Sequence, residues 1–270
     1  MDNRLLVFAG PKQSGKTSGA NFVSGFELKQ QGKIRQFGLD EEGKLVVNSY
    51  FMDENGDTKE GEGVLDLQRR DPEFFYYASN NIWPHVKLYN FADPLKEALA
   101  TIFGLSLSKL NGTDEEKNEL THIAWKLMAR FLPPRTVKKL KDDKLYNKKM
   151  THRQVMQEFG TSVCRHLDDD CWVRACLDRI KSESPELAII ADCRFENEVK
   201  AAKKRGAKII RLKPKVATGD IHTSETSLDN IPDSYFDLVL DKNKLSLKEK
   251  NSMIVDAMAK WGWLQTEVMV

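Results

Sequence analysis

An α/β fold, with a parallel sheet flanked by helices on both faces, is what these 270 residues predict. Three observations lead there. Five short apolar runs lack the polar–apolar alternation of half-exposed strands, which marks strands buried on both faces. Helical patterns lie between and after those runs, and strand alternating with helix gives a covered sheet. A glycine-rich loop follows the first run, at the strand end where ligands collect in such sheets.

The runs occupy residues 5–9, 86–91, 187–191, 208–212 and 237–240. Helical periodicity covers residues 94–103, 153–167, 172–181, 196–205 and 246–261. Two stretches interrupt this order. Residues 40–66 carry nine acidic side chains against two basic ones. There the strand-like KLVVNSYFM precedes Glu54-Asn55-Gly56-Asp57, and Asn-Gly favours a tight turn, so a β-hairpin insertion is expected. Residues 130–153 hold nine lysines and arginines against Asp142 and Asp143, and Pro133-Pro134 is expected to break any helix there. Either run can be a solvated face, and the basic one can also supply cations over bound phosphates. No internal repeat, low-complexity tract or long linker appears, so residues 1–270 are expected to form a single domain.

The hydrophobic fraction is 40%, the charged fraction 30% and the net charge +2, which argues against strong sequence-independent nucleic-acid binding. Cys164, Cys171, Cys176 and Cys193 form no C-x-x-C pair, and reduced thiols are expected. No stretch approaches the roughly 20 apolar residues of a membrane helix, and no secretory leader is expected, since a cationic start with a long apolar run and cleavage site is missing. A cytoplasmic protein with no membrane partner is expected.

The loop GPKQSGKT, residues 10–17, has the phosphate-binding (P-loop) spacing G-x-x-x-x-G-K-[S/T]. Gly10 and Gly15 let the backbone wrap so that N–H groups point at phosphate, and the following helix adds its positive dipole end. The expected nucleotide set is Gly10, Lys12, Ser14, Gly15, Lys16, Thr17 and Ser18. Lys16 is expected to reach the β- and γ-phosphates of ATP, and Thr17 to ligate Mg²⁺. The buried run LAIIAD ends on Asp192, a second expected Mg²⁺ ligand. Motor-type ATPases commonly place a glutamate next to such an aspartate; here Cys193 and Arg194 follow. An arginine aimed at phosphate suits transfer to an acceptor better than hydrolysis. The guanine-reading N-K-x-D string of GTPases is also absent, DKNK at 241–244 scrambling it. Small-molecule kinases remain.

For the acceptor, residues 153–172 are the most informative. Val155, Phe159, Val163 and Leu167 form an apolar stripe, with Arg153, Gln157, Thr161 and Arg165 on nearly the opposite face. That polar row could clamp a phosphate and bond a base or sugar, or could simply be a solvated face. Gly160 would let a ligand approach the backbone. Trp172 can stack on a base or fill the core. In FADPLKEAL, Asp93 is expected to cap the next helix and Lys96 to lie beside the phosphate site.

Five pieces together resemble the bacteriophage deoxynucleoside monophosphate kinases: GPKQSGKT, FADPLKEAL, RQVMQEFGT with Trp172, ADCRFENE, and HTSE (222–225) before FDLVLDKN (236–243). The resemblance implies a five-stranded parallel sheet of order 2-3-1-4-5 and transfer of the γ-phosphate of ATP to a deoxynucleoside 5′-monophosphate. It puts Lys96, Arg153, Gly160, Thr161, Arg165 and Trp172 on the acceptor side, within a helical region at 104–172, and adds Lys117 from GTDEEKN. Arg194 looks similar to the arginine that bridges both substrates' phosphates, making Lys16 and Arg194 the catalytic pair. A lid is expected at 213–230, with His222, Ser224 and Glu225, or in the basic 130–153 stretch. The family also implies a phage genome, hence the host cytoplasm, and admits a homodimer. Two alternatives stay open: a kinase for another phosphorylated small molecule, since animal phosphomevalonate kinases look similar in these motifs, and a nucleotide-regulated binding protein.

Overall fold

The computed structural model describes residues 4–52, 57–69, 71–213, 228–241 and 244–264. The chain divides into two compact units, Met1–Asn90 with Arg179–Val270, and Phe91–Asp178. The Asn55-Gly56 turn and most of the expected lid, including His222, Ser224 and Glu225, lie outside the described residues. Among the described residues no helix is long and apolar enough to cross a membrane.

The first unit is built on β1 (Arg4–Ala9), β5 (Val86–Tyr89), β8 (Leu187–Cys193), β9 (Lys208–Lys213) and β10 (Leu238–Asp241). These lie parallel in the order β5-β8-β1-β9-β10. Numbered over the whole chain the order reads 5-8-1-9-10, because five strands that join other sheets are interposed along the chain; counting only the strands of this sheet, the same arrangement reads 2-3-1-4-5. The absence of alternation has its expected cause: Leu6, Val7, Phe8, Leu187, Ile189 and Ile190 are fully buried. Each such side chain contributes about 1.5–3 kcal/mol by burial. β5 ends at Tyr89, short of the expected residue 91, whereas β8 runs on to Cys193 and so takes in Asp192.

The acidic insertion is larger than a hairpin. β2 (Gln36–Leu39), β3 (Leu45–Met52) and β4 (Thr58–Val64) form a three-stranded antiparallel sheet, with Leu39 opposite Leu45 and Met52 opposite Thr58. The four residues of β2 are too few to show period-2 alternation reliably. The helix α1 (Lys16–Gln30) packs against this sheet and against β1 through its glycines. A Cβ on Gly19 would lie 2.7 Å from the Phe8 ring, and one on Gly25 2.5 Å from Phe37 and 2.7 Å from Leu45. A further helix, α2 (Pro72–Asn81), was not foreseen; Asp71 caps it by accepting from Phe74 N–H at 3.0 Å, and Pro72 opens its first turn.

The second unit contains α3 (Asp93–Phe103), α4 (Leu107–Asn111), α5 (Asp114–Asn118), β6 (Leu120–Ala124), α6 (Trp125–Met128), α7 (Pro134–Asp142), β7 (Lys149–Thr151) and α8 (His152–Glu158). A π-helical segment, Phe159–Arg165, continues α8. β6 and β7 pair antiparallel, and Leu99, Leu110, Met150 and Val155 centre an apolar core. Three expectations fail here. Pro133-Pro134 does not prevent a helix but starts one, Pro134 opening α7, where a missing N–H costs nothing. Asp93 is the first residue of α3 and makes no cap. Leu167 is 83% exposed and leaves the apolar stripe, because the π-helical turn adds a residue per turn and shifts the phase after Phe159.

α9 (Cys171–Glu183) carries the chain back to the first unit, where α10 (Glu196–Lys204) and α11 (Leu247–Lys260) follow β8 and β10. All four cysteines are free thiols. Asp237, just before β10, accepts from Lys203 Nζ at 2.6 Å, Ile209 N–H at 2.9 Å and Lys208 Nζ at 3.4 Å. Burial works to raise its pKa, but the Lys203 and Ile209 bonds outweigh it and hold the carboxyl below the usual range.

Two predictions follow from these contacts. Gly25→Ala gains about 1 kcal/mol of helix propensity but forces overpacking that costs about 1–3 kcal/mol. The urea midpoint is therefore expected to fall, with an unchanged slope; a rise would show that Phe37 and Leu45 yield freely. A depressed folded pKa contributes stability that is present above the unfolded value of about 3.9 and lost as pH falls through the folded one. Asp237→Asn is expected to lower stability at pH 7 and to flatten its decline below about pH 4 in urea titrations.

Candidate active site

The phosphate loop joins β1 directly to α1. Gly15 caps the helix at φ 96°, in the left-handed region that favours glycine. A Cβ on Gly10 would meet Leu212 O at 2.5 Å, so the close approach of β9 also demands glycine there. The start of α1 has no side-chain cap and no acidic residue in its first turn. Its N–H groups and positive dipole end therefore have no anion supplied by these elements. Lys16, 6% exposed, folds back so that Nζ donates to Gly10 O at 2.7 Å and Pro11 O at 2.6 Å. Ser14 is 2% exposed, and its buried Oγ has no hydrogen-bond partner. A buried hydroxyl without a partner costs about 1–3 kcal/mol. A phosphate oxygen would satisfy it, and the loop therefore fits the group its sequence suggests. Lys12 and Ser18 are half-buried and Thr17 is exposed.

The inserted sheet reaches this helix end. The turn from β2 to β3 places Gly43, φ 79°, so that a Cβ would fall directly on Ser18 Oγ, and Asn21 Nδ2 donates to Gly43 O at 2.8 Å.

Asp192 and Arg194 stand beside the loop because of sheet register. Ala9 is opposite Cys193, and Gly10 N–H donates to Cys193 O at 3.1 Å. Asp192 and Arg194 are half-buried and flank the fully buried Cys193. Burial, and after it the carboxylates of Glu198 and Asp192, push the Cys193 thiol well up, so it stays protonated and is no nucleophile. Among the described residues no three His, Cys, Asp or Glu side chains cluster as a ready metal cage. Thr17 and Asp192 would have to share an ion with ligand oxygens and water, as Mg²⁺ sites commonly do.

The acceptor candidates fall in the second unit, in three groups. Lys96 Nζ donates to Asn111 Oδ1 at 2.9 Å and lies 3.4 Å from Asp93 Oδ1. Arg153 reaches α5, donating through Nη2 to Asp114 Oδ1 at 2.6 Å and through Nε to Asn118 Oδ1 at 3.2 Å. Lys117 lies on that same short helix, which a Thr113–Glu116 capping box starts. On the π-helical segment, Thr161 is exposed, while Arg165 keeps a 13% exposed side chain with Asp169 at 3.8 Å. Trp172 Nε1 donates to Gly160 O at 3.2 Å, and the ring packs on the apolar core. The space beside Gly160 is filled by Leu95, whose Cδ2 would stand 2.8 Å from a Cβ. Asn111, Asp114, Asn118 and Glu198 were not singled out from sequence. Only Glu198 had a readable signal, its position three residues into a helix, where a capping glutamate sits.

The family model described as deoxynucleotide monophosphate kinase matches residues 4–251. The chain belongs to that family. It is also 28% identical over 185 residues to a protein of Acanthamoeba polyphaga mimivirus named "Putative deoxynucleotide monophosphate kinase", an overlap of 63% of this chain and 81% of the relative. The chain is thus a kinase, a phosphotransferase acting on deoxynucleotide monophosphates and drawing on a nucleotide phosphoryl donor.

Ser14→Ala separates a ligand-binding hydroxyl from a structural one. The variant is expected to match or exceed the wild-type melting temperature without ligand, because it removes an unpartnered buried oxygen. Its rise in melting temperature on adding nucleotide is expected to be smaller. A variant that melts lower when ligand-free would mean that Ser14 serves the fold.

Proposed function

We propose that this kinase transfers the γ-phosphate of ATP to a deoxynucleoside 5′-monophosphate, yielding the diphosphate and ADP. The observation that carries the donor half is the phosphate loop, with its uncapped helix end and the unpartnered Ser14 hydroxyl. Gly10, Lys12, Ser14, Gly15, Lys16, Thr17 and Ser18 hold the donor phosphates. Thr17 and Asp192 would hold Mg²⁺, which neutralises charge on the donor's oxygens when bound.

Phosphoryl transfer spreads charge over the equatorial oxygens of a loose transition state, so alignment and cations matter more than a strong base. In this reading Lys16 leaves its carbonyl partners for the donor phosphates, and Arg194 bridges donor and acceptor. Arg153 and Arg165 hold the acceptor phosphate, while Lys96, Lys117, Gly160, Thr161 and Trp172 shape the rest of its site. A guanidinium is suited to this because its fork takes two oxygens at once. Arg153 already shows that geometry toward Asp114 and Asn118.

Removing Lys16 or Arg194 is expected to raise the barrier by about 3–4 kcal/mol, or about 10²–10³-fold in kcat. The direct test is ADP release from Mg²⁺–ATP with each deoxynucleoside monophosphate added singly, beside mevalonate 5-phosphate and a no-acceptor control. Turnover with nucleotides alone is expected, and ADP release indifferent to the acceptor would overturn the reading. Arg153→Ala is expected to raise the acceptor KM at least about tenfold, in keeping with about 1.5–3 kcal/mol for a charged hydrogen bond. ATP affinity should hold, and equal loss of both would remove Arg153 from the acceptor site.

A further inference from the structure

The turn that carries Asp192 and Arg194 is pinned at successive peptides. On one side Cys193 O accepts Gly10 N–H at 3.1 Å, tying the turn to the phosphate loop. On the other, the Oε2 atom of Glu198 accepts Arg194 N–H at 2.7 Å and Phe195 N–H at 3.0 Å. Glu198 is 3% exposed. A glutamate at the third helical position is a common cap, but a cap does not need burial. On α11 the exposed Glu249 does the same work, accepting Ser246 N–H and Oγ each at 2.7 Å. Burying a carboxylate is costly unless several hydrogen bonds compensate it. At Glu198 part of that cost is met by the two N–H groups of the turn in which the Arg194 side chain begins, beside a hydrogen bond with the Cys193 thiol.

Resting on the reaction assigned above, we propose that Glu198 is a positioning residue for phosphoryl transfer. It fixes the Arg194 peptide relative to the phosphate loop, and thereby the direction in which the guanidinium leaves the sheet; it touches neither substrate. Because both bonds converge on one oxygen, an amide oxygen in the same place keeps them, whereas a methyl group leaves two N–H groups unpartnered. A misplacement on the order of 1 Å can cost about 10²-fold in rate.

The test compares Glu198→Ala, Glu198→Gln and Glu249→Ala in the full chain, measuring melting temperature, ATP KM, acceptor KM and kcat. Glu198→Ala is expected to lower kcat by about 10–100-fold with ATP KM within about twofold. Glu198→Gln should recover most of that loss. Glu249→Ala should lower the melting temperature and leave kcat alone. If Glu198→Ala only melts earlier at wild-type kcat, or if Glu198→Gln is as slow as the alanine variant, the positioning role is wrong. Should the alanine variant fail to fold, Glu198→Asp replaces it, its carboxylate drawn back by one methylene. Wild-type kcat in that variant would overturn the proposal. Wild-type protein without acceptor-dependent turnover would instead refute the assigned reaction, and the positioning role with it.

Discussion

The hydrogen bond from Gly10 N–H to Cys193 O is the constraint on which the arrangement around the glycine-rich loop depends. Parallel pairing sets Val7 opposite Ile190, and a register shift then brings Ala9 opposite Cys193, so the residue that leaves β1 and the residue that ends β8 stand at the same height. One step along the first strand begins the phosphate loop, and one step either way along the second gives Asp192 and Arg194. No flexible side chain mediates this relation. Fully buried runs on β1 and β8 hold the register as far as Val7 and Ile190, and the one-residue shift beyond them sets the junction.

In both units, most buried polar groups find partners close by. Glu27 is paired with Arg4 at 2.5 Å, Thr121 Oγ1 donates to Met150 O at 2.9 Å, and His152 Nδ1 meets Glu119 O at 3.0 Å. Each is answered within its own unit, as buried polar atoms usually are. Ser14 Oγ is not, and it stands in the glycine-rich loop between β1 and α1. The side-chain oxygen of Asn48 is likewise unpartnered, and we have no physical account of it.

The second unit handles its cations differently. Arg153 and Lys96 are both engaged by short side chains, the one with Asp114 and Asn118, the other with Asn111. Such partners restrict a long side chain to few rotamers, which lowers the entropy it would lose in binding an anion. The π-helical segment adds a second device: Gly160 O accepts from the Trp172 indole, joining the segment to the start of α9.

Much of this was legible along the chain. The continuous apolar strands and the glycine loop are local patterns; β1 and the helices α3, α8, α9, α10 and α11 appeared close to where apolar runs and periodicity put them, and α1 where the loop put it. What failed was local reasoning where context reversed the sign. Pro133-Pro134 reads as a breaker until its second proline becomes a helix start, and Leu167 reads as core until a π-helical turn rotates it outward. The sequence by itself determined where a phosphate-binding spacing lies, because that pattern is a fixed order of consecutive residues. Only the tertiary structure decided which strand end stands beside that loop, which side chains occupy Arg153 and Lys96, and that Glu198 is buried under the Arg194 turn. Those depend on strand register and on partners distant in sequence, and no window of neighbouring residues contains that information.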